Sequence, residues 1–156
     1  MVIDSFEAQY RFLSNFYPCR GVLGGSVEHA YQADKFIDES IRAAILQEPS
    51  PGVAKRMARH YKAFVRDDWE QINMGRMWFW ICAKYNIHRN PDLRSRLVAT
   101  DGYMLIEGNL HHDNFWGDCH CMNVSGKHPE CLIPGKNYLG LMLMERRDQC
   151  LGRINE

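Results

Sequence analysis

A chain of 156 residues, 46% hydrophobic and 24% charged, has the composition of an ordinary soluble globular protein, long enough to bury a core as one domain over 1–156 without help from metal or disulfides. Nineteen basic side chains balance nineteen acidic ones, which excludes a bulk pull on nucleic acid and leaves any such contact to a local patch. No apolar run suits a membrane helix, and Asp4 and Glu7 break up the opening residues, so no secretory leader of the usual kind and a cytosolic setting are expected.

In chain order, FEAQYRFLSNFYPCRGVLGGSV is dense in aromatics and interrupted by Pro18, Gly21, Gly24 and Gly25; it predicts a hairpin or loop layer. From Glu28 to about Gln47 the apolar positions Ala30, Ala33, Ile37, Ile41, Ala44 and Ile45 share one side, which predicts one long amphipathic helix. Glu48-Pro49 stops it. Ser50-Pro51 then supplies a capping hydroxyl and a first-turn proline for a helix through GVAKRMARHY. Asp67 or Asp68 opens a third helix through WEQINMGRMWFWICAKYNIH, apolar nearly all round at Met77–Cys82 and so expected in the core. Asn90-Pro91-Asp92 repeats the cap-and-proline signal before LRSRLVAT. TDGYMLIEGN suggests a turn and a short strand ending at Glu107, the stretch from HHDNFWGD to GKN reads as loop, and NYLGLMLMERRDQCLGRI returns to helical spacing. The expected fold is mainly α, with a minor hairpin or strand element.

Four places carry chemistry. Glu28, Gln32 and Lys35 stand at i, i+4 and i+7, so a carboxylate, an amide and an amine share one helical stripe; the plainer reading is a solvated face with Lys35–Glu39 or Glu39–Arg42 pairs. Lys55, Arg59 and Lys62, with Arg56 and His60 beside them, form either a phosphate-facing stripe or the wet side of a helix. In HHDNFWGD, Trp116 suits stacking on a base or sugar and Asp113 suits orienting a hydroxyl or a water, against a turn whose aromatics plug the core. Cys119-x-Cys121 with His128-x-x-Cys131 has the ligand types of a structural zinc site, but Cys-x-Cys is a rare pairing, and reduced, metal-free thiols are expected.

Taken together, FLSNFYP, VEHAYQADKF, ILQEPSPGVAKRMAR, DDWE, LRSRLVATDGYMLIEGN, HHDNFWGD and GKNYLGLMLMERR resemble the YbiA-like, or NADAR domain, family over nearly the whole chain and in family order. The resemblance implies a compact helical fold and N-glycosidase chemistry: in some members on early riboflavin-pathway intermediates (ribosylated pyrimidine phosphates), in others removing ADP-ribose from guanine in DNA, RNA or nucleotide. It implies Glu28, Lys35, Glu107 and Asp113 as catalytic residues, and Asn15, Trp69, Trp116 and Asn137 as substrate-binding ones; Lys55 and Arg59 join these from the basic stripe, which suits a pyrophosphate. No cofactor and no membrane partner is expected. The segment between WGD and GKN, which holds Cys119, Cys121, His128 and Cys131, is longer than in the best-known bacterial members.

Cleaving a ribosyl C–N bond needs negative charge near a cation-like carbon and a proton for the departing nitrogen. Two routes follow: Glu28 and Glu107 as a carboxylate pair, or Lys35 as an amine that forms a Schiff base with ring-opened ribose. A non-catalytic ADP-ribose reader is the rival from another class; it has no need of Glu28 and Lys35 together.

Overall fold

The computed structural model describes residues 1–122 and 126–155. The fold is mainly α, and Cα packing divides it into two compact units, Asn15–Arg94 and Met1–Ser14 with Ser95–Glu156. No helix among the described residues is long and apolar enough to cross a membrane.

The first unit is built around α1 (Val27–Asp34). The Ser26 hydroxyl accepts a hydrogen bond from the His29 backbone N–H, relieving one of the donors that a helix start leaves open. All eight residues of α1 are buried, including Glu28, Gln32 and Asp34. The predicted long helix ends here. Residues 35–38 leave the helix, and α2 (Glu39–Gln47) starts afresh because the Asp38 carboxylate accepts from the backbone N–H groups of Ser40 and Ile41. Ile37, expected on the apolar side, is 70% exposed as a result. The break is closed by Arg42, whose guanidinium donates to the Ala33 and Phe36 carbonyls and reaches Asp34, not Glu39.

Helix α3 (Pro51–His60) follows the Ser50 cap as read from the sequence. With α1 and α2 it encloses a cluster of Ala33, Phe36, Ile45, Ala54 and Ala58. Burying a side chain the size of Phe36 contributes about 1.5–3 kcal/mol, and the alanines opposite let the helices approach. Helix α4 (Trp69–Lys84) buries Trp69, Met77, Trp80 and Ile81, but Phe79 is half exposed, so its apolar stretch is not buried all round. Asp68 makes no cap there; its carboxylate pairs with Arg66 instead. The unit boundary falls within α5 (Pro91–Val98).

In the second unit the aromatic N-terminal stretch holds a 3-10 turn over Ala8–Leu13, where a hairpin or loop layer was expected. Among the described residues the strands form two parallel pairs, each two residues long: β1 (Val2–Ile3) with β2 (Met104–Leu105), and β3 (Gly108–Asn109) with β4 (Asp118–Cys119). Helix α6 (Tyr138–Cys150) packs on β2. Gly140 makes this possible, because a Cβ there would strike the Leu105 carbonyl oxygen. Buried Arg147 ties the other end of α6 down by donating to the Thr100 and Tyr103 carbonyls.

Candidate active site

In the Asn15–Arg94 unit, the stripe that opens the chemical argument is enclosed. Glu28 lies in the first turn of α1, where the helix dipole favours a carboxylate, and it is only 5% exposed. Its Oε1 accepts a 2.7 Å hydrogen bond from Gln32 Nε2, and its backbone N–H donates to the Asn15 carbonyl. The Gln32 Oε1 atom is buried with no hydrogen-bond partner, so this polar pocket is not self-sufficient.

Lys35 follows the last turn of α1, with its backbone carbonyl accepting from Arg66 N–H. Its Nζ lies 5.5 Å from the Tyr31 ring centre and 6.0 Å from that of Trp69, and those two rings meet at 5.0 Å with a 58° tilt. Burial against this aromatic wall lowers the Lys35 pKa from its ordinary value. Glu28 opposes the shift, while the positive charges of Lys55 and Arg59 reinforce it. Electrostatics therefore brings Glu28, Lys35, Lys55 and Arg59 into one neighbourhood, and the rings add Trp69. The Asn15 amide nitrogen donates to Met77 Sδ at 3.4 Å, and its backbone carbonyl accepts from Glu28 N–H. The sequence reading missed Asp34, a buried carboxylate that accepts from Arg76 Nε at 2.8 Å and Trp80 Nε1 at 2.6 Å and so fixes α1 on α4. Only the break after α1, itself missed, signals it.

The second unit holds the remaining candidates, and there most of the polar atoms build the loop. Asp113 Oδ1 accepts from the N–H groups of Phe115 and Trp116. Asn109, another residue the sequence reading passed over, accepts from His111 and Asp113 N–H and donates to the Asp113 carbonyl. The carbonyls of Phe115, Trp116 and Gly117 in turn receive the N–H groups of Tyr138, Leu139 and Asn137, so the HHDNFWGD turn satisfies the open start of α6. Asn137, in a left-handed conformation, accepts from Glu107 N–H and donates to the Leu105 carbonyl. It holds the Glu107 strand end in place. Gly117 lies so close to Glu107 that a Cβ would collide with the Glu107 carbonyl. Trp116 is half-buried, edge-on to Phe115 at 4.9 Å.

The thiols of Cys119, Cys121 and Cys131 converge as the sequence suggested, but the imidazole among them is His112, not His128. His128 is stacked behind His112 at 3.6 Å, and its Nδ1 meets Glu130 Oε1 at 3.1 Å. Among the described residues, no other group of three or more such side chains could hold a metal. Burial, reinforced by its thiol neighbours, pushes the Cys131 thiol up to about 12, whereas Cys119 is lowered, against its own desolvation, by hydrogen bonds from the cluster. Bare thiols this close compete for a single negative charge.

The NADAR domain profile matches residues 4–151. The N-glycosidase YbiA of Escherichia coli is 38% identical over 149 residues, which cover 93% of this chain and 84% of that protein. A riboflavin biosynthesis protein of Vibrio vulnificus is 34% identical over 92% of this chain, and the chloroplastic riboflavin biosynthesis protein PYRR of Zea mays is 37% identical over 83% of it. This chain spans only 36% and 20% of those two proteins. The NMR structure of Escherichia coli YbiA superposes with a TM-score of 0.77 at 32% identity, over 100% of this chain and 88% of that one.

Proposed function

The chain belongs to the NADAR domain family and, like its YbiA relatives, is a hydrolase of N-glycosyl bonds; we propose that it removes ADP-ribose from guanine in nucleic acid or nucleotide. The observation that carries this reading is a buried carboxylate and a desolvated amine on one short helix, Glu28 and Lys35. The profile match over 4–151 supports treating 1–156 as one NADAR domain, and a cytosolic location stays part of the proposal.

Ribose attached to an exocyclic amine keeps an N–H, so its ring opens to an imine at C1′ once the ring oxygen takes a proton. The neutral Lys35 amine adds to C1′. Glu28 takes the protons that the Lys35 nitrogen sheds and passes them to the base nitrogen, so the base leaves as its free amine and a C1′=N bond to Lys35 remains. Water adds to that carbon, Lys35 departs, and the released aldehyde recloses as the free sugar. The lowered Lys35 pKa supports this route because only the unprotonated amine attacks. Lys55 and Arg59 supply the positive charge that a pyrophosphate takes. Glu107 and Asp113 enter as further catalytic carboxylates, and Trp116 as a stacking surface, through the family resemblance.

A second substrate, a ribosylated aminopyrimidine phosphate, is favoured by the riboflavin biosynthesis relatives, and it carries the same exocyclic linkage. Purified protein assayed against ADP-ribosylated guanine oligonucleotide and the ribosylaminopyrimidine phosphate, side by side, tests both. Release of ADP-ribose with the larger kcat/KM is expected. Preference for the pyrimidine phosphate replaces the first substrate by the second, and tight ADP-ribose binding with no cleavage of either makes the protein a reader. Ordinary nucleosides, linked through a ring nitrogen without a hydrogen, are expected to resist.

A further inference from the structure

We propose that His112, Cys119, Cys121 and Cys131 form a structural zinc site that fastens the long segment before GKN onto the Asp113 turn. Their ligand atoms all lie within 4.8 Å of one another. His112 Nδ1 is 3.4 Å from Cys131 Sγ, 3.5 Å from Cys121 Sγ and 3.8 Å from Cys119 Sγ. A tetrahedral zinc with bonds of about 2.3 Å to sulfur and 2.0 Å to nitrogen has N···S edges of about 3.5 Å and S···S edges of about 3.8 Å. The three N···S distances match that edge, and the 4.8 Å bound on every pair leaves the S···S edges within about 1 Å of theirs, so small side-chain shifts would close the donors on one ion.

The backbone is arranged to deliver these donors. His112 takes a left-handed conformation, φ 67°, that costs a non-glycine residue about 1 kcal/mol and aims its ring at the thiols. Cys119 ends β4, so Cys-x-Cys comes off a paired strand, with intervening His120 turned to Asp118 at 3.3 Å. Cys131 arrives on the 3-10 turn Pro129–Leu132. Asn114 braces two donors: its amide nitrogen lies 3.4 Å from Cys131 Sγ, and its Oδ1 accepts from Cys119 N–H at 2.9 Å. An amide donor beside a sulfur suits a metal-bound thiolate. Four protein donors fill the coordination sphere, so the role is structural, and the site does not depend on the glycosidase reading.

The decisive experiment uses untagged protein purified without added metal. Elemental analysis is expected to find about one zinc per chain, and exchange with cobalt chloride to give tetrahedral d–d bands with thiolate charge-transfer absorption. His128→Ala is expected to keep the metal and His112→Cys to keep it as a four-thiolate site. Asn114→Ala should weaken zinc binding ~10–100-fold, and His112→Ala by more. Because Cys131→Ser risks failing to fold, the two histidine variants decide the ligand set. Metal-free protein that also takes up no cobalt, a disulfide within the cluster, or loss of metal in His128→Ala with retention in His112→Ala overturns the proposal.

Discussion

The two candidate regions use polar side chains in opposite ways. Around α1, helices satisfy most of the backbone internally and Ser26, Asp38 and Arg42 close their ends, which leaves Glu28 and Lys35 with side chains committed to little besides each other's charge and one amide. In the second unit, short strands and turns leave many backbone groups open, and Asn109, Asp113 and Asn137 spend their side chains closing them. A regular element can therefore hold reactive groups at the cost of desolvating them, whereas an irregular one consumes polar residues as scaffold. Residues that look alike in sequence as site candidates are expected to respond differently to substitution.

The largest effect is expected from Glu28→Gln, which keeps shape and removes proton transfer. The rate should fall ~10²–10⁴-fold with the melting temperature little changed, measured as kcat beside thermal unfolding. Retained turnover would move Glu28 to the scaffold side of the contrast. Asn137→Ala should do the reverse. It leaves Glu107 N–H and the Leu105 carbonyl without their partner, which costs about 2–4 kcal/mol by denaturant unfolding, with activity lost mainly in proportion to folded protein. A large fall in kcat without lost stability would make Asn137 a direct participant.

Trp116→Ala comes next. Losing an aromatic stacking surface worth about 1–3 kcal/mol should raise KM ~5–150-fold while melting shifts little. Collapse of stability with unchanged KM would make Trp116 a core residue of the loop. The smallest effect concerns pH. Lys55 lowers the Lys35 pKa, so Lys55→Met should raise it and carry the acid limb of kcat/KM to higher pH, toward the ordinary lysine value. The same sign holds for stability. A lysine whose folded pKa is depressed binds fewer protons folded than unfolded, so its contribution grows as pH rises from that depressed value to 10.5. A limb that stays put in Lys55→Met separates the stripe from Lys35.

Much of the fold was legible because caps are local. Ser50-Pro51 and Asn90-Pro91 marked α3 and α5 where they stand. The break between α1 and α2 was not, because Ala33, Ile37 and Ile41 keep a helical spacing and the interruption depends on Asp38 capping α2 and Arg42 closing α1. That error matters for the site: it hid that Lys35 ends a helix and that Asp34 anchors it. Burial of Glu28 and Gln32 was equally invisible, since periodicity marks polar positions as wet unless tertiary packing covers them. In the loop, composition found the three cysteines, but ligand spacing favoured His128, and only the turn made by Asn109 and Asp113 brings His112 to the thiols.

The central claim is that Lys35 reacts as an unprotonated amine. Sodium borohydride added during turnover of ADP-ribosylated guanine oligonucleotide, followed by peptide mass spectrometry, tests it directly, because reduction turns a Schiff base into a stable secondary amine. A sugar adduct on the peptide containing Lys35, absent in Lys35→Arg, is expected. No adduct during active turnover, together with substantial activity in Lys35→Arg, contradicts the claim and leaves Lys35 as a binding residue beside Glu28.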